Sequence, residues 1–105
     1  VPQVEIHPEA QAELDAAIAW YEQQSQGLGL DFLDEVDWVI HLASTQPGIW
    51  RSYGDAGGLR RLNTRRFPYS LIYRLGDERV QVIAIAHQHR KPGYWRSRVG
   101  KPSQD

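Results

Sequence analysis

Thirteen residues near the C-terminus, AHQHRKPGYWRSR at 86–98, gather two His, four cations, a Tyr and a Trp around a Pro-Gly break. His87 ends an apolar run, where the chain is expected to leave a strand. An imidazole there can exchange a proton near neutral pH. Arg90 and Tyr94 follow within seven residues. A proton carrier, a fixed cation and a hydroxyl are enough to cleave an RNA phosphodiester. A base takes the 2′-hydroxyl proton, an acid protonates the leaving oxygen, and the guanidinium stabilises the phosphorane charge. A strand-end His that only bonds the backbone has the same spacing, so both readings stand at this point. His87 and His89 would share one face of an extended strand, which makes half of a metal site. No third ligand lies at local spacing and the neighbouring cations repel a divalent ion, so neither a metal nor another cofactor is expected.

A second group of residues suits anions. RRLNTRRF, residues 60–67, carries Arg60, Arg61, Arg65 and Arg66 over an expected strand. Alternation would put Arg61 and Arg65 on one side and Arg60 and Arg66 on the other. Guanidinium geometry suits phosphate, although edge strands also carry charge simply to prevent aggregation. Arg74, Arg96 and Arg98 extend the cationic set, and Trp95 beside them can stack on bases. Residues 1–59 hold one cation and ten anions, whereas residues 60–105 hold eleven cations and three anions. Such asymmetry means either one face for a polyanion or an acidic half packed against a basic half.

These side chains need a scaffold. QVEIH (3–7) alternates as a short strand. Pro8 suits the first helical position, and Ala10, Leu14, Ala17, Ile18 and Tyr21 form one apolar stripe. That helix should stop near Gln24, with Gly27 as its C-terminal cap. A second helix buries Phe32, Val36, Val39, Ile40 and Ala43, with Asp31, Asp34, Glu35 and Asp37 mostly on its other face. Trp20 and Trp38 fall at or off the stripes. A Gly-rich connection over 46–58 leads to strands at 59–66, 69–75 and 79–87, the last apolar on both faces. The expected fold is α+β: an N-terminal strand and an antiparallel two-helix hairpin packed on a small antiparallel sheet. One domain over 1–98 and a free tail over 99–105 fit the length of 105 residues.

Hydrophobic residues at 41% and charged residues at 24% are ordinary for a globular chain, which argues against a disordered one. Without Cys, disulfides, thiol chemistry and Cys-based zinc sites are excluded. No run is long enough for a membrane span, and the acidic start does not read as a secretion signal. A cytoplasmic location is expected.

Three segments, WYEQQSQGLGLDFLDEV (20–36), RRFPYSLIYR (65–74) and VIAIAHQHRKPGYWRSR (82–98), together resemble the RelE/ParE superfamily of toxins from type II toxin–antitoxin pairs, often labelled plasmid stabilisation proteins. The resemblance spans nearly the whole chain. It implies an α+β domain, growth inhibition, and an antitoxin partner whose disordered segment folds along the toxin. It also implies one of two targets: DNA gyrase, as in the ParE-like branch, or mRNA on the ribosome, cut without a metal by RelE-like interferases. His87 and Arg90 match positions typical of the group, and Tyr94 falls where RelE-like nucleases keep a tyrosine. Ser70 and Gln88 stand where those nucleases carry arginines. The resemblance therefore favours a ParE-like binding inhibitor of DNA gyrase or another macromolecular target, with the RelE-like ribonuclease as the alternative.

Overall fold

The computed structural model describes residues 3–46, 59–76 and 78–99. The elements are β1 (Gln3–Ile6), α1 (Pro8–Gln24), α2 (Leu28–Thr45), β2 (Leu59–Asn63), β3 (Tyr69–Gly76), β4 (Arg79–His87) and a short 3₁₀ turn at Arg96–Arg98. The Gly-rich connection lies, from residue 47 on, outside the described residues, as does the tail beyond Val99. The strands form one sheet in the order β1-β4-β3-β2. β2, β3 and β4 are the expected antiparallel meander. β1 adds parallel to β4, so the sheet is mixed. An intervening pair of helices allows this, because a parallel neighbour needs a long crossover.

The apolar stripes predicted for α1 and α2 are buried on one face of the sheet, against Leu71, Tyr73, Val80, Val82 and Ile85. The opposite face carries a second cluster of Leu59, Ile72, Ile83, Ala84 and Trp95. The C-terminal segment therefore folds back as a third layer. A bulge on β4 helps. Ile72 pairs with Ala84 and Tyr73 with Val82, which leaves Ile83 as an extra residue. The insertion lets Ile83 and Ala84 both face the C-terminal layer while Val82 and Ile85 face the helices.

The hairpin turn explains why Glu22, Gly27 and Gly29 occur together. The Glu22 carboxylate accepts the backbone N–H groups of Gly27 at 2.9 Å and Gly29 at 3.0 Å. It supplies acceptors for the start of α2, whose first N–H groups have no partner within the helix. Gly27 was expected to cap α1. It instead precedes α2 with φ +87°, a conformation glycine adopts without steric cost. Gly29 lets the helices touch: a Cβ there would lie 2.7 Å from the carbonyl oxygen of Ile18. Gly29→Ala should thus cost about 2 kcal/mol of stability, within the range for overpacked contacts. Urea unfolding followed by circular dichroism measures it, and an unchanged midpoint would count against this close contact.

Beyond the hairpin, Tyr21, Phe32, Phe67 and Tyr69 pack at 4.8–6.3 Å between centroids, edge to face except for the tilted Tyr21–Phe32 pair. Such pairs add about 0.5–1.5 kcal/mol each beyond area burial. They fix the bend between β2 and β3 against both helices, and with it the start of β3 beside the end of β4.

Candidate functional site

At the end of β4 the sheet opens into a cleft of about 70 Å³. Arg61, Ser70, His87, Gln88, Arg90, Lys91 and Tyr94 provide its polar lining, with Trp95 in its wall. The chain turns here through Pro92 and Gly93, whose φ of +81° suits glycine. This turn brings Arg90 and Tyr94 back beside His87, as the local spacing suggested.

The hydroxyl of Tyr94 does not face the cleft as a free group. It donates a 2.6 Å hydrogen bond to Glu13 Oε2 on α1. Burial raises its pKa well above the ordinary tyrosine value, and the bond to the Glu13 carboxylate raises it further. The Tyr94 ring lies under the Arg90 guanidinium, 3.8 Å from its centroid, with Arg98 at 5.1 Å. His87 is half-buried against Tyr69, and its Nδ1 accepts the backbone N–H of His89 at 3.0 Å. In the neutral ring the proton is then on Nε2, so the lone pair a general base would use is already engaged. The Ser70 hydroxyl donates to Asn63 at 2.7 Å, and the Gln88 amide donates to the Tyr69 carbonyl at 3.1 Å. Both residues therefore close the sheet end with neutral hydrogen bonds.

Glu13 is the central residue that the sequence reading did not single out. β1 accompanies β4 only as far as the pairing of Ile6 with Val82. Past that point, Glu13 Oε1 accepts the Ile85 N–H at 3.0 Å and Arg98 Nη1 donates to the Ile83 carbonyl at 3.2 Å. The two side chains pair at 2.7–3.0 Å and together take the place of the missing strand. Burial pushes the Glu13 carboxyl up, but hydrogen bonds from Arg98, Tyr94 and Ile85, with the Arg98 charge, hold it below the usual carboxylate value. Glu9, one turn earlier, also approaches Arg98, at 3.5 Å. The signal was available: two Glu four residues apart flank the buried stripe of α1.

A family model described as ParE toxin of type II toxin–antitoxin system, parDE, matches residues 4–92. The chain belongs to the ParE toxin family. The match covers β1 through the start of the Pro-Gly turn, so every element that frames the cleft except Tyr94 and Trp95 lies inside it. A solved chain titled "Chromosomal ParDE TA system from P. aeruginosa" has the same fold. Its TM-score is 0.59 at 19% identity, over 82% of this chain and 95% of that one. No curated protein sequence matches.

Across this ParE-family fold, the predicted cationic set does not gather on one surface. Arg61, Arg90 and Tyr94 reach the cleft together with His87. Arg60 points to the helix side beside Tyr73, whose hydroxyl burial pushes up to about 12 against the opposing effect of the Arg60 charge. Arg74 lies further along the sheet, bonded to Gln81 and to the Val99 carbonyl at 3.4 Å. Arg65 and Arg66 were placed on a strand, but β2 ends at Asn63 and both lie in the following bend, next to Glu35. Arg98, expected at a target surface, is buried against Glu13 because it completes the β4 edge. Trp95 was offered for base stacking and is 2% exposed, the cover of the second core cluster. Arg96 remains exposed over the Trp95 ring. All five ion pairs among the described residues join the basic half to the acidic half. Much of the charge asymmetry is thus internal packing.

Proposed function

We propose that this chain is a growth-arresting toxin that binds DNA gyrase and is held inactive in the cytoplasm by a cognate antitoxin. Family membership supports the toxin–antitoxin assignment. The bond from the Tyr94 hydroxyl to Glu13 carries the choice of binding over RNA cleavage. It occupies the hydroxyl that a RelE-like reaction needs as a proton donor, and burial with a carboxylate partner makes that proton harder to release. His87 has its Nδ1 lone pair engaged as well, and neutral Ser70 and Gln88 stand where cleavage would use arginines.

The test uses purified toxin, gyrase and relaxed plasmid. Supercoiling should stop at saturating toxin, and added antitoxin should restore it. The same toxin added to translating ribosomes should leave mRNA uncut. Full supercoiling beside cleaved transcripts would reverse the assignment. The ribonuclease reading retains one supporting observation, that His87, Arg90 and Tyr94 line a single cleft. In that case His87→Ala with Tyr94→Phe should slow mRNA cleavage.

A further inference from the structure

The cleft contains three cations, Arg61, Arg90 and Lys91, and no carboxylate among the described residues lines it. Elsewhere on the fold, Arg65, Arg66, Arg79 and Arg98 each meet a Glu. Neither Arg90 nor Lys91 takes part in any ion pair among the described residues. The Arg90 guanidinium lies over the Tyr94 ring at 3.8 Å, and a guanidinium resting on a ring keeps N–H donors for an anion. Ser70, Gln88 and Tyr94 are bonded within the fold, so the Arg90 and Lys91 heads are the groups best placed to meet a ligand.

Size limits that ligand. A space of about 70 Å³ is well under the roughly 300 Å³ of ordinary small-molecule sites, so it suits one compact anionic group. Directly beside it, a groove of about 440 Å³ is lined by Trp20, Tyr21, Pro68, Tyr69 and His87. His87 belongs to both linings. Trp20 is 56% exposed, unusual for the largest apolar side chain on a helix whose stripe is otherwise buried. An anion pocket that adjoins an open aromatic wall matches the repeating unit of a nucleic acid strand. The phosphate is compact and charged, and each base offers a flat face for stacking.

We propose that the cleft holds a backbone phosphate of a single-stranded nucleic acid, with a neighbouring base against Trp20, and that it holds the strand without cutting it. A duplex keeps its base faces stacked inside and cannot use the groove. This inference goes beyond gyrase inhibition and does not depend on it: it concerns the isolated toxin and is read without gyrase.

Fluorescence anisotropy of short labelled single-stranded DNA and RNA over a salt series tests it. Binding should weaken with salt, at about 0.7 units of log–log slope per phosphate contact. Lys91→Gln should weaken both strands and flatten the slope by about that amount. Lys91 is exposed, so its variant should melt like the parent. Trp20→Ala should weaken binding roughly tenfold with the slope unchanged, as expected for lost stacking. The proposal is overturned if the folded toxin binds neither strand at low salt, if Lys91→Gln leaves affinity and slope unchanged, or if a duplex binds as well as the single strand. Cleavage of the RNA during the titration would overturn the holding role.

Discussion

Glu13→Ala should cost about 3–5 kcal/mol of stability, the range for removing one partner of a buried ion pair. The Arg98 side chain, only 8% exposed, would keep its charge with only the exposed Glu9 carboxylate, at 3.5 Å, to offset it. The Tyr94 hydroxyl and the Ile85 N–H would lose their acceptor at the same time. Small domains have about 5–15 kcal/mol in total, so the variant should be close to unfolding at body temperature. Replacing both partners with apolar residues, Glu13→Leu with Arg98→Met, should recover much of the loss, because no charge is then left buried. Urea unfolding of the two variants and the parent checks both halves. A double variant no better than Glu13→Ala would mean that the side chains act through shape and not through charge.

The same pair sets a pH dependence. The Glu13 carboxyl titrates below its ordinary value of 4.5 in the fold, and Glu35 does likewise. A lowered folded value means that the unfolded chain takes up protons first as pH falls. The contribution is therefore complete above about pH 4.5 and fades as pH drops through the lowered folded values. Stability measured from neutral pH into acid should fall in that window, and Glu13→Gln should flatten the fall.

How much of this could be read from residues alone follows from the range of each signal. α1, α2 and β4 were legible because their apolar periods run for two turns or more, or for nine residues on both faces. The hairpin motif was visible as Glu22 with Gly27 and Gly29, but its reason, a carboxylate under two N–H groups and a carbonyl one Cβ away, is a contact between helices. His87, Arg90 and Tyr94 were found together because one short turn places them. What sequence spacing could not give was the direction of the Tyr94 hydroxyl, which is decided by a glutamate 81 residues away. The same holds for Arg98 and Trp95. Charge and aromaticity suggested a surface, whereas the bulge at Ile83 and the early end of β1 created an edge and a face that these residues fill. Glu35 is a further case. A carboxylate in a helix reads as solvated, and only the bend that follows β2 gives it something to bury against.

That bend is the basis of the second large effect. Glu35 is 6% exposed, and its Oε2 accepts the backbone N–H of Arg65 and, at 3.3 Å, that of Arg66. The attached guanidiniums stay in water, at 76% and 62% side-chain exposure, and approach the carboxylate only at 3.8 and 3.4 Å. Exposed pairs of this kind contribute little, about 0–1 kcal/mol. Burial pushes the Glu35 carboxyl up, yet the two backbone bonds and the Arg66 side chain bring it below its ordinary value. The principal role of Glu35 is thus to anchor the main chain of the bend to α2, with ion pairing secondary. Glu35→Ala should cost about 3 kcal/mol, since charged hydrogen bonds contribute about 1.5–3 kcal/mol each and the freed amides can only partly hydrate. For a domain this size the melting temperature should drop by more than about 10 °C. Arg65→Ala and Arg66→Ala keep both amides and should each move stability by less than about 1 kcal/mol. Hydrogen exchange distinguishes the two roles: the amides of residues 65 and 66 should exchange faster in Glu35→Ala and at the parental rate in the arginine variants. If the arginine variants cost as much as Glu35→Ala, the guanidiniums hold the bend, and Arg65 and Arg66 would no longer be available to a partner.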